Sequence, residues 1–349
     1  MEYLLLIIGF VLIIKASDVL VDASTSIAIK FKVPKMLIAL TIVAFGTCAP
    51  ELAISFTSIS TNNGSIALAN VIGSCIINIL FIIGLASVMN PIKVKVNVIK
   101  KELPLLLMIT SVFALIVANG ILNPYRHHKI YGFDGVLLIL LFFVFIIYIV
   151  KIIKKDKKTN FKETPKYNLA FAIIYLILSI LVITYSAEIL VDNAVIIAEK
   201  IGISQKIITM VVIVIGTSLP ELFLTISSAK KKEHEIAIGN IIGTNIFNIC
   251  IVFGLPSLIY NGFSIIDFNV IDVVFVFIAS LTLYIFSKSE KKLTKKEGFI
   301  MLFLFILYYT YLFVNWNSVK NFFSGNNVIQ KILNLKKVYS FWIYFLIII

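Results

Sequence analysis

The sequence predicts an all-α integral membrane protein of about ten transmembrane helices, arranged as two inverted five-helix repeats. Three observations carry that prediction. The 349 residues are 60% hydrophobic and only 14% charged, with a mean hydropathy of +1.03, whereas soluble domains carry about 25% charged residues. Apolar runs recur at the length that a bilayer core of about 30 Å demands, roughly 20 residues per helix. The chain also repeats itself at an offset of 170 residues.

The spans fall near 3–29, 36–60, 65–89, 103–119, 132–153, 168–198, 205–229, 236–260, 269–287 and 298–315. Loops taken alternately carry 22 cations on one side and 4 on the other, so the net charge of +13 is a topology signal and implies no nucleic acid. The positive-inside rule puts the lysine-rich set in the cytoplasm and the N-terminus outside a plasma membrane. The first span has no basic flank before it and no small-residue cleavage site after it, so it reads as a helix and not as a cleaved signal peptide. Cys48, Cys75 and Cys250 all fall within spans and match no disulfide framework or zinc spacing.

The repeat is read from three blocks in one register. Ser17–Asp22 (SDVLVD) matches Ala187–Asp192 (AEILVD), and Gly46–Leu52 (GTCAPEL) matches Gly216–Leu222 (GTSLPEL). Ala67–Ile79 (ALANVIGSCIINI) matches Ala237–Ile249 (AIGNIIGTNIFNI). Five spans per half mean that the second copy enters the membrane from the opposite side, the architecture of carriers with a midplane site between the repeats. The halves are 1–150 and 168–315, joined by a basic linker at 151–167 and followed by an extension at 316–349. That extension ends in an apolar segment, Tyr339–Ile349, too short for a standard span.

The repeated blocks hold the chemistry. Proline lacks an N–H and clashes with the carbonyl four residues back. Pro50 and Pro220 therefore release the carbonyls of Gly46 and Gly216 and strain those of Thr47 and Thr217. Glu51 and Glu221 follow at once, at the start of a new half-helix whose dipole favours an anion. Unpaired oxygens in hydrocarbon are costly unless a buried partner or an ion satisfies them.

Polar stripes extend the site. Thr47, Glu51, Ser55 and Ser58 share one helix face, as do Thr217, Glu221, Thr225 and Ser228; Asn70, Ser74 and Asn78 share another, as do Asn240, Thr244 and Asn248. Such stripes turn inward, away from lipid, and their hydroxyl, amide, carbonyl and carboxylate oxygens suit hard cations such as Ca2+ and Na+. A single stripe serves equally well as helix glue; it is the duplication that points to a cation site. Asp18, Asp22, Glu188 and Asp192 sit near helix ends or pair with Lys15, and read as structural or gate-lining ahead of ion ligands. His127, His128 and His234 read as loop residues, and Lys230–Lys232 as an ordinary cytoplasmic flank.

At GTCAPEL 46–52 with GSCIINI 73–79, and GTSLPEL 216–222 with GTNIFNI 243–249, the sequence resembles the cation/calcium exchanger superfamily, over roughly residues 1–315. The resemblance implies Glu51 and Glu221 as central carboxylates, with backbone carbonyls from Thr47 and Thr217. Ala44 and Val214 would line an outer sodium site. Cys48 and Ser218, Ser74 and Thr244, and Asn78 and Asn248 would complete the shell. The implied activity is Ca2+ export driven by inward Na+, by alternating access, in a monomer without a cofactor, the first and sixth helices sliding across the core.

This chain departs from the family pattern by placing Cys48 where Ser is usual. Cys75 stands where the other repeat has Asn245, and Asn248 stands where some members have Asp. The cavity thus holds two carboxylates, matching one Ca2+ or two Na+. The alternatives are an H+-coupled or K+-dependent exchanger of the same build, a cation channel, and an intramembrane hydrolase using Cys48 near Glu51. Channels arrange their oxygens around an oligomeric axis, and no His lies in a span to assist a nucleophile.

Overall fold

The computed structural model describes residues 2–60, 64–155, 164–200, 214–265 and 268–323. Among the described residues twelve α-helices follow one another: α1 Glu2–Phe31, α2 Lys35–Thr47, α3 Ala49–Ser60, α4 Gly64–Met89, α5 Val98–Leu122 and α6 Gly132–Lys155 in the first half. The second half has α7 Leu169–Lys200, α8 Val214–Thr217, α9 Leu219–Lys230, α10 His234–Ile259, α11 Val270–Ser289 and α12 Lys295–Phe323. Among the described residues, seven helices are long and apolar enough to cross a membrane, eight if the bent pair α2–α3 counts as one span. The expected span at 205–229 begins outside the described residues; of the expected extension at 316–349, residues 316–323 continue α12 and the rest lies outside the described residues.

Met1–Leu302 forms one compact unit, and a second, Phe303–Ile349, begins within α12. In the first unit burial sorts the helices. The most apolar windows of α4 and α10 are 83% and 94% buried, whereas that of α6 is only 22% buried. α4 and α10 are therefore the core. Large apolar side chains on α1, α6 and α7, such as Ile7, Phe143 and Phe171, point outward, where hydrocarbon and not water is the compatible solvent.

The halves interlock reciprocally. α1 packs along α7, its counterpart at the 170-residue offset, and α5 packs along α11, likewise its counterpart. Gly84 of α4 lies against Gly298 of α12, so close that a Cβ on Gly298 would stand 2.6 Å from the Gly84 carbonyl oxygen. Gly254 of α10 meets Gly135 of α6 in the same way, with 2.5 Å between a Cβ on Gly135 and the Gly254 oxygen. Small residues let helix backbones approach at such crossings.

An all-helical reading omits four short strands. β1 (Ile92–Lys93) pairs with β4 (Lys292–Leu293), and β2 (Lys129–Tyr131) pairs with β3 (Gly262–Ser264), both antiparallel and each joining one half to the other. Gly262, at φ +100°, makes the turn into β3, where a Cβ would meet the Ile130 carbonyl at 2.2 Å.

Candidate cation site

Two helix breaks set the geometry. α2 ends at Thr47, Cys48 sits at φ −82° and ψ 3°, and α3 departs at 45°. In the second copy Ser218 sits at φ −89° and ψ 4° between α8 and α9. Both are bridge-region residues immediately before a half-helix with proline in its first turn. Cys48 N–H donates to Ala44 O and Leu52 N–H to Cys48 O, each at 3.1 Å. Ser218 N–H donates to Ile215 O at 3.1 Å and Leu222 N–H to Ser218 O at 3.0 Å. Each bridge spans a proline that cannot donate to the carbonyl four residues back.

Glu51 and Glu221 are 1% and 0% exposed and lie within electrostatic reach of one another. Each is within reach of a hydroxyl from the opposite repeat: Thr217 for Glu51, and Thr47 for Glu221. No carboxylate oxygen of either residue has a hydrogen-bond partner of standard geometry among the described residues. Two buried carboxylates so arranged are a strong demand for positive charge.

The remaining predicted residues surround that pair. The hydroxyls of Ser74, Ser218 and Thr244 are buried and lack partners among the described residues. Asn78 Nδ2 donates to Asn245 Oδ1 at 3.0 Å, which turns the unpartnered Asn78 Oδ1 away as a free acceptor. Asn248 is 0% exposed and has both amide atoms unpartnered among the described residues. Asn78 and Asn248 both lie in π-helical turns, Ile77–Ile83 and Asn248–Phe253. Such wide turns recur at functional sites because they rotate a side chain out of the α-helical register.

Cys48 lies within electrostatic reach of both carboxylates and donates its thiol to the Thr244 carbonyl at 3.9 Å. Ala44 lies one turn back, but its carbonyl already accepts from Cys48 N–H and from Thr47 Oγ1 at 3.3 Å. Val214 opens α8, and its side chain lies outside the described residues. Sequence reasoning left Asn245 out of the shell. Its signal was its place three residues before Asn248.

Three readings need correction. Asp22 pairs with Lys231 and Lys166, both at 2.6 Å, and not with Lys15, which is exposed. The bond to the Asp22 carboxylate holds the Lys166 ammonium above the ordinary lysine range. Lys231 is therefore no plain flank. His234 begins α10 and is half-buried, whereas His127 and His128 are exposed, left-handed turn residues as expected for loops.

Comparison with known proteins bears on the site. Residues 1–151 and 171–314 match the family model described as sodium/calcium exchanger protein. The putative antiporter CaxA of Alkalimonas amylolytica is 35% identical over 88% of this chain and 97% of its own length. The inner membrane protein YrbG of Escherichia coli is 34% identical over 74% of this chain and 80% of its own. The sodium/calcium exchanger MaX1 of Methanosarcina acetivorans is 28% identical over 89% and 98%. A solved structure of the sodium-calcium exchanger NCX_Mj, soaked with 10 mM Na+ and zero Ca2+, superposes with a TM-score of 0.75 at 30% identity, covering 88% of this chain and 97% of that one.

Proposed function

The chain belongs to the sodium/calcium exchanger family, and on that premise we propose that it is a secondary active antiporter exporting Ca2+ in exchange for Na+. The observation that carries the reading is the Glu51–Glu221 pair, two buried carboxylates from opposite halves whose oxygens have no protein partner of standard geometry among the described residues. One Ca2+ or two Na+ neutralise them. Hydroxyl and amide oxygens of Ser74, Thr244, Asn78, Asn248 and Ser218, with the carbonyls of Thr47 and Thr217, supply the neutral ligands that Ca2+ needs to reach six to eight. Cys48 contributes a softer atom.

Exchange follows from that charge balance. The empty pair is a buried double anion, and moving it through an apolar barrier is prohibitive. Occupied by either ion, it is neutral, so the carrier alternates only when loaded. The reciprocal contacts between halves support two inverted five-helix repeats, with α1 and α7 as the sliding pair. The loop charges support a cytoplasmic lysine-rich face and an outside N-terminus, and a site built from the two halves of one chain suits a monomer. MaX1 and NCX_Mj carry sodium and calcium in their names, which favours Na+ as counter-ion here.

Uptake of 45Ca2+ into proteoliposomes loaded with Na+ tests the reading. Uptake is expected to follow the Na+ gradient, to saturate with Ca2+, and to vanish in Glu51→Gln. Uptake that ignores the Na+ gradient and follows an imposed pH or K+ gradient assigns the counter-ion to H+ or K+ instead. Non-saturating flux without coupling points to a channel.

A further inference from the structure

The polar stripe on α9 does not stop at the membrane. Glu221, Thr225 and Ser228 are followed one turn later by Lys231. Its Nζ donates to Asp22 Oδ1 and to the Asp18 carbonyl of α1, both at 2.6 Å. Ser227 Oγ donates to Asp18 Oδ1 at 2.5 Å, and Lys166 holds the other Asp22 oxygen at 2.6 Å. A cavity of about 410 Å3 lies at this end of the molecule, lined by Asp22, Thr25, Ser26, Lys166, Lys231 and Glu233. An ammonium set between a carboxylate and a carbonyl occupies oxygens that a hard cation would otherwise use. Deeper along the same stripe, Ser228 is fully buried with an unpartnered hydroxyl among the described residues.

The duplication makes this arrangement one-sided. At the 170-residue offset Asp18 and Asp22 correspond to Glu188 and Asp192, so both copies keep the acids. Ser227 and Lys231 correspond to Thr57 and Thr61, so only one copy has the cation. The two acid pairs also differ in surroundings. Asp18 and Asp22 are half-buried and bonded to α9 and its flank, whereas Glu188 and Asp192 are exposed and form no ion pair among the described residues.

We infer that Lys231 is a tethered cation plug at the lysine-rich mouth of the ion pathway: it fills the Asp18–Asp22 oxygens that an entering cation would take, and it pins α1 shut against α9. The inference rests on the exchange reading for what passes the mouth and in which direction. With the plug seated, the lysine-rich face opens only when Lys231 leaves Asp22, or when an incoming divalent cation replaces it. Among the described residues the opposite mouth shows no such competitor, so its opening needs no exchange of partners there. The resting equilibrium is biased towards closure on the lysine-rich side, and the apparent affinity there is lowered by the fraction of molecules that are open.

The test is a cysteine introduced behind the plug, Ser228→Cys, probed from the lysine-rich face with a membrane-impermeant maleimide; the three native cysteines are buried. In otherwise unchanged protein the labelling is expected to be slow. Adding Lys231→Met is expected to raise it at least tenfold, while Lys231→Arg, which keeps the cation, leaves it slow. If Lys231→Met does not yield folded protein, Asp22→Asn reads the same contact from α1 and is expected to raise labelling several-fold. In proteoliposomes of known orientation, Lys231→Met is expected to lower the half-saturating Ca2+ about fivefold on the lysine-rich face only. Labelling equal with and without Lys231, or an equal affinity change on both faces, overturns the plug. Faster labelling in a protein without Na+-dependent Ca2+ flux keeps the plug and overturns the exchange reading instead.

Discussion

Thr110 Oγ1 of α5 and Ser280 Oγ of α11 lie 3.1 Å apart in a buried hydrogen bond, and the two residues are 170 positions apart in the chain. A residue that touches its own repeat counterpart lies on the operation relating the two copies. The glycine crossings and the two short ladders fall into reciprocal pairs around that point. The bond thus ties the halves together where they are most nearly self-complementary.

Its removal makes the first prediction. Thr110→Val and Ser280→Ala each leave one buried hydroxyl alone, and each is expected to cost about 0.5–1.5 kcal/mol, the net worth of a typical intramolecular hydrogen bond. The double variant is expected to cost less than the two losses added, because no hydroxyl is then orphaned. Thermal unfolding in detergent measures the coupling; strict additivity counts against the contact.

Pro50→Ala gives the break at Cys48 an N–H to donate towards the Gly46 carbonyl. The half-helix is expected to straighten and Na+-dependent Ca2+ flux to fall at least tenfold, while the melting temperature holds or rises. Pro220→Ala is expected to do the same. A variant that transports normally shows that the broken helix does not shape the site.

Cys48→Ser replaces a soft thiol by a hard oxygen beside both carboxylates. Apparent Ca2+ affinity is expected to rise a few-fold and block by Cd2+ to weaken, since thiolates and thiols favour softer metals. Flux titrations with the two ions measure both shifts, and unchanged Cd2+ sensitivity removes Cys48 from the site.

Gly135→Ala and Gly298→Ala each place a methyl group within 2.6 Å of a carbonyl oxygen on the facing helix. Overpacking of this kind costs about 1–3 kcal/mol. Both variants are expected to lower the melting temperature by similar amounts, as reciprocal contacts require. A large loss for one and none for the other marks the crossings as unrelated.

Much of this was legible in the sequence because membrane helices announce themselves by length and apolarity, and duplicated polar blocks stand out against that background. The breaks at Cys48 and Ser218, the burial of Glu51 and Glu221, and the inward stripes follow from proline chemistry and the cost of polar groups in lipid. The last helix of each half was not legible as a repeat. Asp134–Gly135 and Glu297–Gly298 play matching parts, with Asp134 accepting from Tyr131 N–H and Glu297 from Thr294 N–H, but they stand 163 residues apart and outside the 170-residue register. Tertiary pairing was equally hidden: nothing local in Lys231 distinguishes a topology lysine from one seated on Asp22. The strands β1 to β4 are two or three residues long and formed by pairing across the halves, so no periodicity reveals them.

On the proposed reading, Glu51 and Glu221 build one site in which Ca2+ and Na+ exclude each other. Equilibrium 45Ca2+ binding to purified protein, titrated with Na+, tests it most directly. One Ca2+ is expected to bind per chain, to be displaced completely by rising Na+, and to be lost alike in Glu51→Gln and in Glu221→Gln. Ca2+ binding that persists at saturating Na+, or that survives the loss of either carboxylate, contradicts it.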